Sequence, residues 1–187
     1  MGAYTPVPQI PEEAVQQAIS QVLKPTAKGM VAEKRPFQGI LYAGLIQTAT
    51  GPKVIEFNAR FGDPETQVVL ARLESPLSEI ISSLLVKEQP TIAWNELASV
   101  GVVVAAEGYP NQYKTNLPLP EMSGETIYYA GVTRSEQALV SAGGRIFLAE
   151  ATASTLEEAR KKVYQTLDNY SFPGMYYRKD IGVKGLI

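Results

Sequence analysis

The chain has 187 residues, of which 45% are hydrophobic, and its 17 basic and 19 acidic side chains give a net charge of −2. This composition supports a buried core in one medium domain or two small ones, and it argues against disorder and against a nucleic-acid or anionic-membrane surface. Cysteine and histidine are absent, which excludes disulfides, thiolate nucleophiles, Ser-His-Asp triads and the usual zinc sites, so that any bound metal must have oxygen ligands.

The N-terminal residues 1–8 are rich in proline and predict an extended loop, without the pattern of a signal peptide. Pro11 and the acidic residues after it predict the start of a helix, which Pro25 should kink or break. No apolar run approaches the roughly 20 residues of a membrane span. We therefore expect a soluble, cytoplasmic protein whose partners are small molecules.

Two β-prone runs follow, at residues 39–46 and 53–58, and the short glycine-containing stretch between them predicts an antiparallel hairpin. Alternation along the second strand divides its side chains between two faces. We expect the face that carries Ile55, Phe57 and Ala59 to lie against the core. The opposite face is polar and carries the side chains of Val54, Glu56, Asn58 and Arg60.

The polar face of this strand could bind a metal and a phosphate. The Cα atoms of Glu56 and Asn58 should lie roughly 6.6 Å apart, so both side-chain oxygens could reach metal ions on a polyphosphate. Arg60, one step further along, could contact phosphate or acyl oxygens. The strand should end at Gly62, and Asp63 should cap a helix whose N-terminus favours an anion.

A plain structural explanation of the same residues stays open at this point. An amphipathic strand can expose Glu56, Asn58 and Arg60 to solvent and be followed by a well-capped helix without any ligand.

The remainder of the chain predicts further alternating elements with a boundary near residues 87–95, where Pro90 interrupts the pattern. Thr155 and Glu158 form a capping box that should open a helix ending near Leu167. The other predicted elements are two helices within residues 64–85, strands at 99–106, 127–132 and 145–151, and a short helix at 135–142.

Residues 53–67 resemble the metal-binding end of an ATP-grasp ligase, and specifically of the phosphoribosylamine–glycine ligase family, also called glycinamide ribonucleotide synthetase. The run from Phe57 to Gln67 carries most of the resemblance. Further matching stretches cover nearly the whole chain, at residues 2–6, 39–44, 108–110, 143–145 and 177–182.

The resemblance implies an α/β fold of the α+β type in two domains. Residues 1–90 would form the C-terminal part of an ATP-grasp domain, with a mostly antiparallel sheet. Residues 91–187 would form the family's small mixed α/β C-terminal domain.

The resemblance also implies an activity, cofactors and site residues. The family joins glycine to 5-phosphoribosylamine with ATP, through a glycyl phosphate, in de novo purine biosynthesis. Glu56 and Asn58 would hold Mg²⁺ or Mn²⁺ on ATP, with Arg60 also at the nucleotide. Arg60 and Asp63 would face the transferred phosphoryl group and the substrate as catalytic residues.

Family members are more than twice this length, so the resemblance implies a C-terminal portion whose partner is the missing N-terminal half, and we expect this chain alone to be inactive. Two other functions remain open. One is a different ATP-grasp carboxylate–amine ligase, and the other is a folded binding or assembly module without turnover.

Overall fold

The computed structural model describes residues 1–136 and 138–187. Its strands are β1 (Gly2–Thr5), β2 (Tyr42–Thr48), β3 (Gly51–Asn58), β4 (Ala98–Ala106), β5 (Thr126–Tyr129), β6 (Val132–Arg134), β7 (Leu139–Ser141), β8 (Arg145–Ala153) and β9 (Met175–Tyr176). Its helices are α1 (Glu12–Ala18), α2 (Lys24–Ala32), α3 (Glu65–Leu70), α4 (Leu77–Leu85) and α5 (Leu156–Asp168), with a π-helical segment at Ile19–Leu23 and a 3₁₀ turn at Val183–Leu186. The paired strands are antiparallel, which confirms the predicted fold class. None of the helices within the described residues has the length and apolar character needed to cross a membrane.

The chain forms two compact units. The first, which we call the sheet unit, comprises Met1–Pro6, Asp63–Glu74 and Ala93–Ile187, and the second, the hairpin unit, comprises Val7–Gly62 and Ser75–Ile92. Each unit therefore combines segments that are separate in sequence. The predicted boundary at residue 90 separates two family domains, whereas the two units described here are defined by their compactness. The domain boundary therefore stays a prediction.

The sheet unit is built on a sheet in the order β1-β4-β8-β5, with β9 pairing to β4. Strand β4 is buried along its whole length, as its apolar, β-branched sequence predicts. Val100, Val102 and Val104 belong to the core cluster that also contains the inner face of α5. On the other face, Gly101 lets α3 approach closely, because a Cβ atom at residue 101 would lie 2.6 Å from Cγ2 of Val68.

Helix α5 begins and packs as predicted. The Thr155 side chain accepts a hydrogen bond from the backbone N–H of Glu158 at 3.2 Å, which satisfies one donor of the first turn. The predicted inward side chains are all buried, namely Leu156, Ala159, Val163, Tyr164 and Leu167.

The predicted short helix at residues 135–142 is wrong. This part of the chain forms an antiparallel pair between β6 and β7 instead, and the N–H of Ser135 donates to the carbonyl of Ala138 at 2.8 Å. Residue 137 lies outside the described residues. Pairing across this turn satisfies the backbone groups that a helix would otherwise have satisfied. The strand predicted at 127–132 is accordingly divided between β5 and β6.

The hairpin unit begins with one helical run from Glu12 to Ala32, in which Pro25 does not break the helix. The π-helical segment directly precedes Lys24 and Pro25, and this change of hydrogen-bond register accommodates a residue without an N–H. The unit has a small core, and its buried hydrophobic side chains among the described residues are Ala14 and Ile80.

A carboxyl group is buried in the sheet unit. Glu150 in β8 is 4% exposed and accepts a hydrogen bond from the Ser99 hydroxyl at 2.7 Å. Burial raises the pKa of Glu150 above its ordinary value of 4.5, against the opposing effect of the Ser99 hydrogen bond. The folded state therefore favours the protonated carboxyl.

This burial predicts a pH dependence of stability. Folding stability from Glu150 is fully present below about pH 4.5, where the unfolded carboxyl is also protonated, and is lost as pH rises through the folded pKa. We expect Glu150→Gln and the wild type to unfold with similar free energies near pH 4, and the glutamine variant to become increasingly the more stable one towards pH 8. Urea unfolding at several pH values measures this, and a difference that does not change with pH would contradict it.

Candidate functional site

Glu56 and Asn58 lie on the same face of the hairpin formed by β2 and β3. In the register of this pair, Glu56 is opposite Gly44 and Asn58 is opposite Tyr42. The Asn58 amide nitrogen donates to Oε1 of Glu56 at 3.1 Å. The amide oxygen of Asn58 and the second carboxylate oxygen of Glu56 are therefore not used by this bond, and both can act as ligands.

The strand opposite supplies room for the Glu56 side chain. A Cβ atom at Gly44 would lie 3.1 Å from Cγ of Glu56, which is tighter than ordinary van der Waals contact. The register also shifts by one residue between Gly44 and Leu45, since Leu45 is opposite Val54. This bulge at Ile55 interrupts the alternation, so the prediction that Val54 shares the face of Glu56 is wrong.

The second face of β3 is not a core face within this chain. Ile55 is 67% exposed and Phe57 is 42% exposed, and Ala59 lies beyond the end of the strand. The prediction of a buried face is therefore wrong for these residues. The physical reason is that β2 and β3 form a two-stranded sheet, which cannot bury both of its faces by itself.

Arg60 lies outside the strand, because β3 ends at Asn58 and not at Gly62 as predicted. The side chain of Arg60 is exposed, and its Nη1 donates to the carbonyl oxygen of Phe61 at 2.8 Å. The expected continuation of the polar row to Arg60 is thus wrong as a statement about strand geometry. Its role at a phosphate is not tested by this contact.

Asp63 belongs to the sheet unit and is not the helix cap that the sequence predicts. Pro64 occupies the cap position of α3, which has six residues. A helix of fewer than two turns has too small a dipole to support the predicted anion site. The Asp63 side chain is used differently, since Oδ1 accepts from the Gln67 amide at 2.8 Å and Oδ2 lies 3.2 Å from Nη1 of Arg145.

A divalent metal fits Glu56 and Asn58 only as part of a shared coordination sphere. The described residues contain no cluster of three or more acidic side chains that could hold a metal ion by themselves. Two oxygen donors from the chain, completed by water and phosphate oxygens, correspond to the way in which proteins commonly bind Mg²⁺ with a nucleotide. The donor types therefore fit Mg²⁺ or Mn²⁺ on a polyphosphate.

The charged segment near the C-terminus has a structural explanation. The Tyr164 hydroxyl donates to the carbonyl of Arg178 at 2.7 Å and accepts from the N–H of Ile181 at 3.0 Å, which fixes this segment on α5. The Arg178 side chain pairs with Asp180 and holds the pKa of that carboxyl down to about 2. Lys179 forms an ion pair with Asp168.

The described residues that line a cleft of about 730 Å³ in the sheet unit include none of the predicted site residues. Residues such as Gly108, Tyr113 and Lys114 form its wall. We assign it no role, since its position coincides with none of the chemistry described above.

Arg145 and Gln67 contact Asp63, although no role is predicted for either residue from the sequence. Both residues lie in stretches that resemble the family, residues 143–145 and 57–67. Gln67 is only four residues from Asp63, whereas the contact of Arg145 joins parts of the chain that are 82 residues apart. The available signal was the Gly143-Gly144 turn directly before a charged residue at a strand start.

Comparison with known proteins agrees with this description. The family model for the phosphoribosylglycinamide synthetase ATP-grasp (A) domain matches residues 1–66, and the model for the C domain of the same synthetase matches residues 99–184. Phosphoribosylamine–glycine ligases from Halalkalibacterium halodurans and Lactococcus lactis are each 50% identical over the whole chain, which covers 44% and 46% of their lengths.

Solved structures give the same result. A phosphoribosylamine–glycine ligase from Thermotoga maritima superposes with a TM-score of 0.85 at 33% identity, over 97% of this chain and 46% of that one. The biotin carboxylase domain of a Hydrogenobacter thermophilus 2-oxoglutarate carboxylase superposes with a TM-score of 0.68 at 16% identity, over 98% of this chain and 44% of that one, which is a similarity of fold alone.

The match to the ATP-grasp (A) domain model and the superposition on a phosphoribosylamine–glycine ligase identify an ATP-grasp protein. Within that class, the chain belongs to the phosphoribosylglycinamide synthetase family, because two domain models of this family match it, at residues 1–66 and 99–184. The chain spans under half the length of the curated relatives that it matches.

Proposed function

We propose that this chain supplies the metal-holding part of an ATP-dependent ligase that joins glycine to 5-phosphoribosylamine. The products would be glycinamide ribonucleotide, ADP and phosphate. The observation that carries the proposal is the Glu56–Asn58 pair on one face of β3, in a chain whose relatives at 50% identity are named phosphoribosylamine–glycine ligase.

Each predicted site residue has a role in this proposal. Glu56 and Asn58 bind Mg²⁺ or Mn²⁺ together with ATP, and the metal neutralises charge on the phosphates. Arg60 supplies a permanent positive charge to the phosphoryl group in transfer, and Asp63 accepts hydrogen bonds from the substrate. Positioning and charge stabilisation are the main requirements of phosphoryl transfer, so the lack of histidine and cysteine is no obstacle.

The proposed reaction has two steps, a phosphoryl transfer to glycine and then an acyl transfer to the amine. A carboxylate oxygen of glycine attacks the γ-phosphorus of ATP, and ADP leaves. The amine of 5-phosphoribosylamine then attacks the carbonyl carbon of the glycyl phosphate, and phosphate leaves. The amine nitrogen loses a proton and becomes the nitrogen of the new amide bond.

The same proposal covers domains, partners and location. Residues 1–90 would be the C-terminal part of the ATP-grasp domain and residues 91–187 the small C-terminal domain, which the separate family matches support. The partners would be ATP, glycine, 5-phosphoribosylamine and the N-terminal half of the same enzyme, in the cytoplasm.

The test uses the natural polypeptide in its complete length. Release of ADP is measured with 5-phosphoribosylamine prepared in situ, and with glycine, alanine, β-alanine or bicarbonate as the acid. We expect release that depends on glycine and on the amine together, and formation of glycinamide ribonucleotide. Equal release with another acid would indicate a different ATP-grasp ligase, and binding of partners without turnover would indicate a non-catalytic module. The isolated 187-residue chain is expected to form no product.

A further inference from the structure

A bulge in β8 directs the Arg145 side chain away from the core. The register between β4 and β8 shifts by one residue at this point, since Val104 is opposite Phe147 and Ala105 is opposite Arg145. Ile146 and Phe147 both belong to the core cluster as a consequence, although they are neighbours in sequence. Without the extra residue, Arg145 would have pointed to the same face as Phe147.

On the opposite face of the sheet, the Arg145 side chain makes two contacts with Asp63. Its Nη1 donates to the backbone carbonyl of Asp63 at 2.9 Å and lies 3.2 Å from the carboxylate oxygen Oδ2. Gln67, one helical turn after Asp63, donates to the other carboxylate oxygen at 2.8 Å. Both oxygens of the Asp63 carboxylate and its main chain are therefore fixed by two side chains that come from separate parts of the sheet unit.

The backbone around Arg145 is itself held in place. The carbonyl of Arg145 accepts from the N–H of Gly131 at 2.9 Å. Gly144 lies under the ring of Tyr109, where a Cβ atom would come within 2.1 Å of the ring. The residue before Arg145 must be glycine for this contact to form, so the starting point of the arginine side chain is rigid.

The contacts of Asp63 differ from those of an ordinary surface ion pair because they include the side-chain amide of Gln67, whose oxygen is buried. Arg145 and Asp63 are each 36% exposed, and exposed pairs contribute little to stability. The Oε1 atom of Gln67 is buried and has no hydrogen-bond partner among the described residues, although its amide group is aligned to reach Asp63. A buried polar atom without a partner is energetically unfavourable and calls for an explanation beyond packing.

We propose that Arg145 is a positioning residue that, together with Gln67, holds the Asp63 carboxylate in place. Asp63 thereby presents its remaining lone pairs to the amino group of a substrate. A carboxylate has about four acceptor sites, of which these contacts use only part, and a primary amine or ammonium is the matching donor. The inference rests on the proposed function, in which two substrates, glycine and 5-phosphoribosylamine, carry such a group.

The test is a double-mutant cycle in the complete natural polypeptide. The variants are Asp63→Asn, Arg145→Met and the double variant, with Arg145→Lys as the conservative change and Arg134→Met, an exposed arginine in β6, as the matched control. Turnover and the KM for ATP, glycine and 5-phosphoribosylamine are measured for each, together with the thermal unfolding midpoint.

We expect Arg145→Met to lower kcat/KM for one amino substrate by about 10-fold or more, with little change in the KM for ATP. The double variant should be no worse than Asp63→Asn alone, because Arg145 acts through Asp63. Arg145→Lys should recover only part of the loss, since an ammonium group does not reproduce the guanidinium donors. The substrate whose KM rises identifies the amino group that Asp63 contacts.

Other outcomes distinguish a failure of the inference about Arg145 from a failure of the proposed ligase function. If wild type releases ADP with glycine and the losses in the two single variants multiply in the double variant, Arg145 does not act through Asp63 and the inference is overturned. Unchanged kinetics in Arg145→Met would overturn it as well. If wild type shows no glycine-dependent release, the proposed function fails first. A lower unfolding midpoint for Arg145→Met with normal kinetics in Arg145→Lys would assign Arg145 a structural role only.

Discussion

Glu56→Gln and Asn58→Ala are each expected to reduce turnover of the complete natural polypeptide by about 100-fold or more while leaving it folded. Glu56 is exposed and Asn58 is half-buried, the two side chains contact each other at 3.1 Å, and neither belongs to the core cluster. Removing one of two protein oxygens weakens metal binding with the nucleotide. The Mg²⁺ concentration needed for half-maximal rate should therefore rise in both variants.

A charge change elsewhere on the same strand is the control. Lys53→Gln alters an exposed residue of β3 that pairs with Ile46, outside the proposed metal site, and is expected to leave the rate within about 2-fold. Unchanged activity in both Glu56→Gln and Asn58→Ala would refute the metal role. A large loss in Lys53→Gln would show that the hairpin tolerates no change, and the comparison would then count against a specific role for the pair.

Phe147→Ala is expected to have the largest effect on stability, a loss of about 3–5 kcal/mol in the free energy of unfolding of the sheet unit. Phe147 is 1% exposed, belongs to the core cluster between the sheet and α5, and its ring lies 5.6 Å from that of Phe172. Truncation leaves a cavity next to a well-packed strand pair. Urea unfolding followed by circular dichroism measures the loss.

Phe57→Ala is the matched control, because it removes the same atoms from an exposed strand of the hairpin unit. Phe57 is 42% exposed, so its truncation should cost less than about half as much. Equal losses for the two variants would contradict the assignment of the main core to the sheet unit.

Local signals predicted a large part of the fold. The capping box at Thr155 and the apolar spacing after it place α5 and its buried face correctly, since both depend on residues within one helix. The apolar run of β4 and the hairpin of β2 and β3 were also correct, because each rests on short-range patterns and turn residues. The pair formed by Glu56 and Asn58 on one face followed from the same alternation.

Features that depend on a partner strand could not be predicted from the sequence. The bulges at Ile55 and Ile146 each insert one residue, and only the register of the opposite strand reveals them. They move Val54 off the face of Glu56 and bring Arg145 to Asp63. The prediction that Asp63 caps α3 was wrong because its carboxylate is used elsewhere: one oxygen accepts from Gln67 and the other pairs with Arg145.

The most direct test of the central claim follows the oxygen atoms of glycine. The complete natural polypeptide is supplied with ATP, 5-phosphoribosylamine and glycine whose carboxylate is labelled with ¹⁸O, and the inorganic phosphate released is analysed by mass spectrometry. If glycine is activated as an acyl phosphate, one labelled oxygen passes to phosphate for each glycinamide ribonucleotide formed, and this transfer is lost together with turnover in Glu56→Gln. Product formation with unlabelled phosphate would contradict the account.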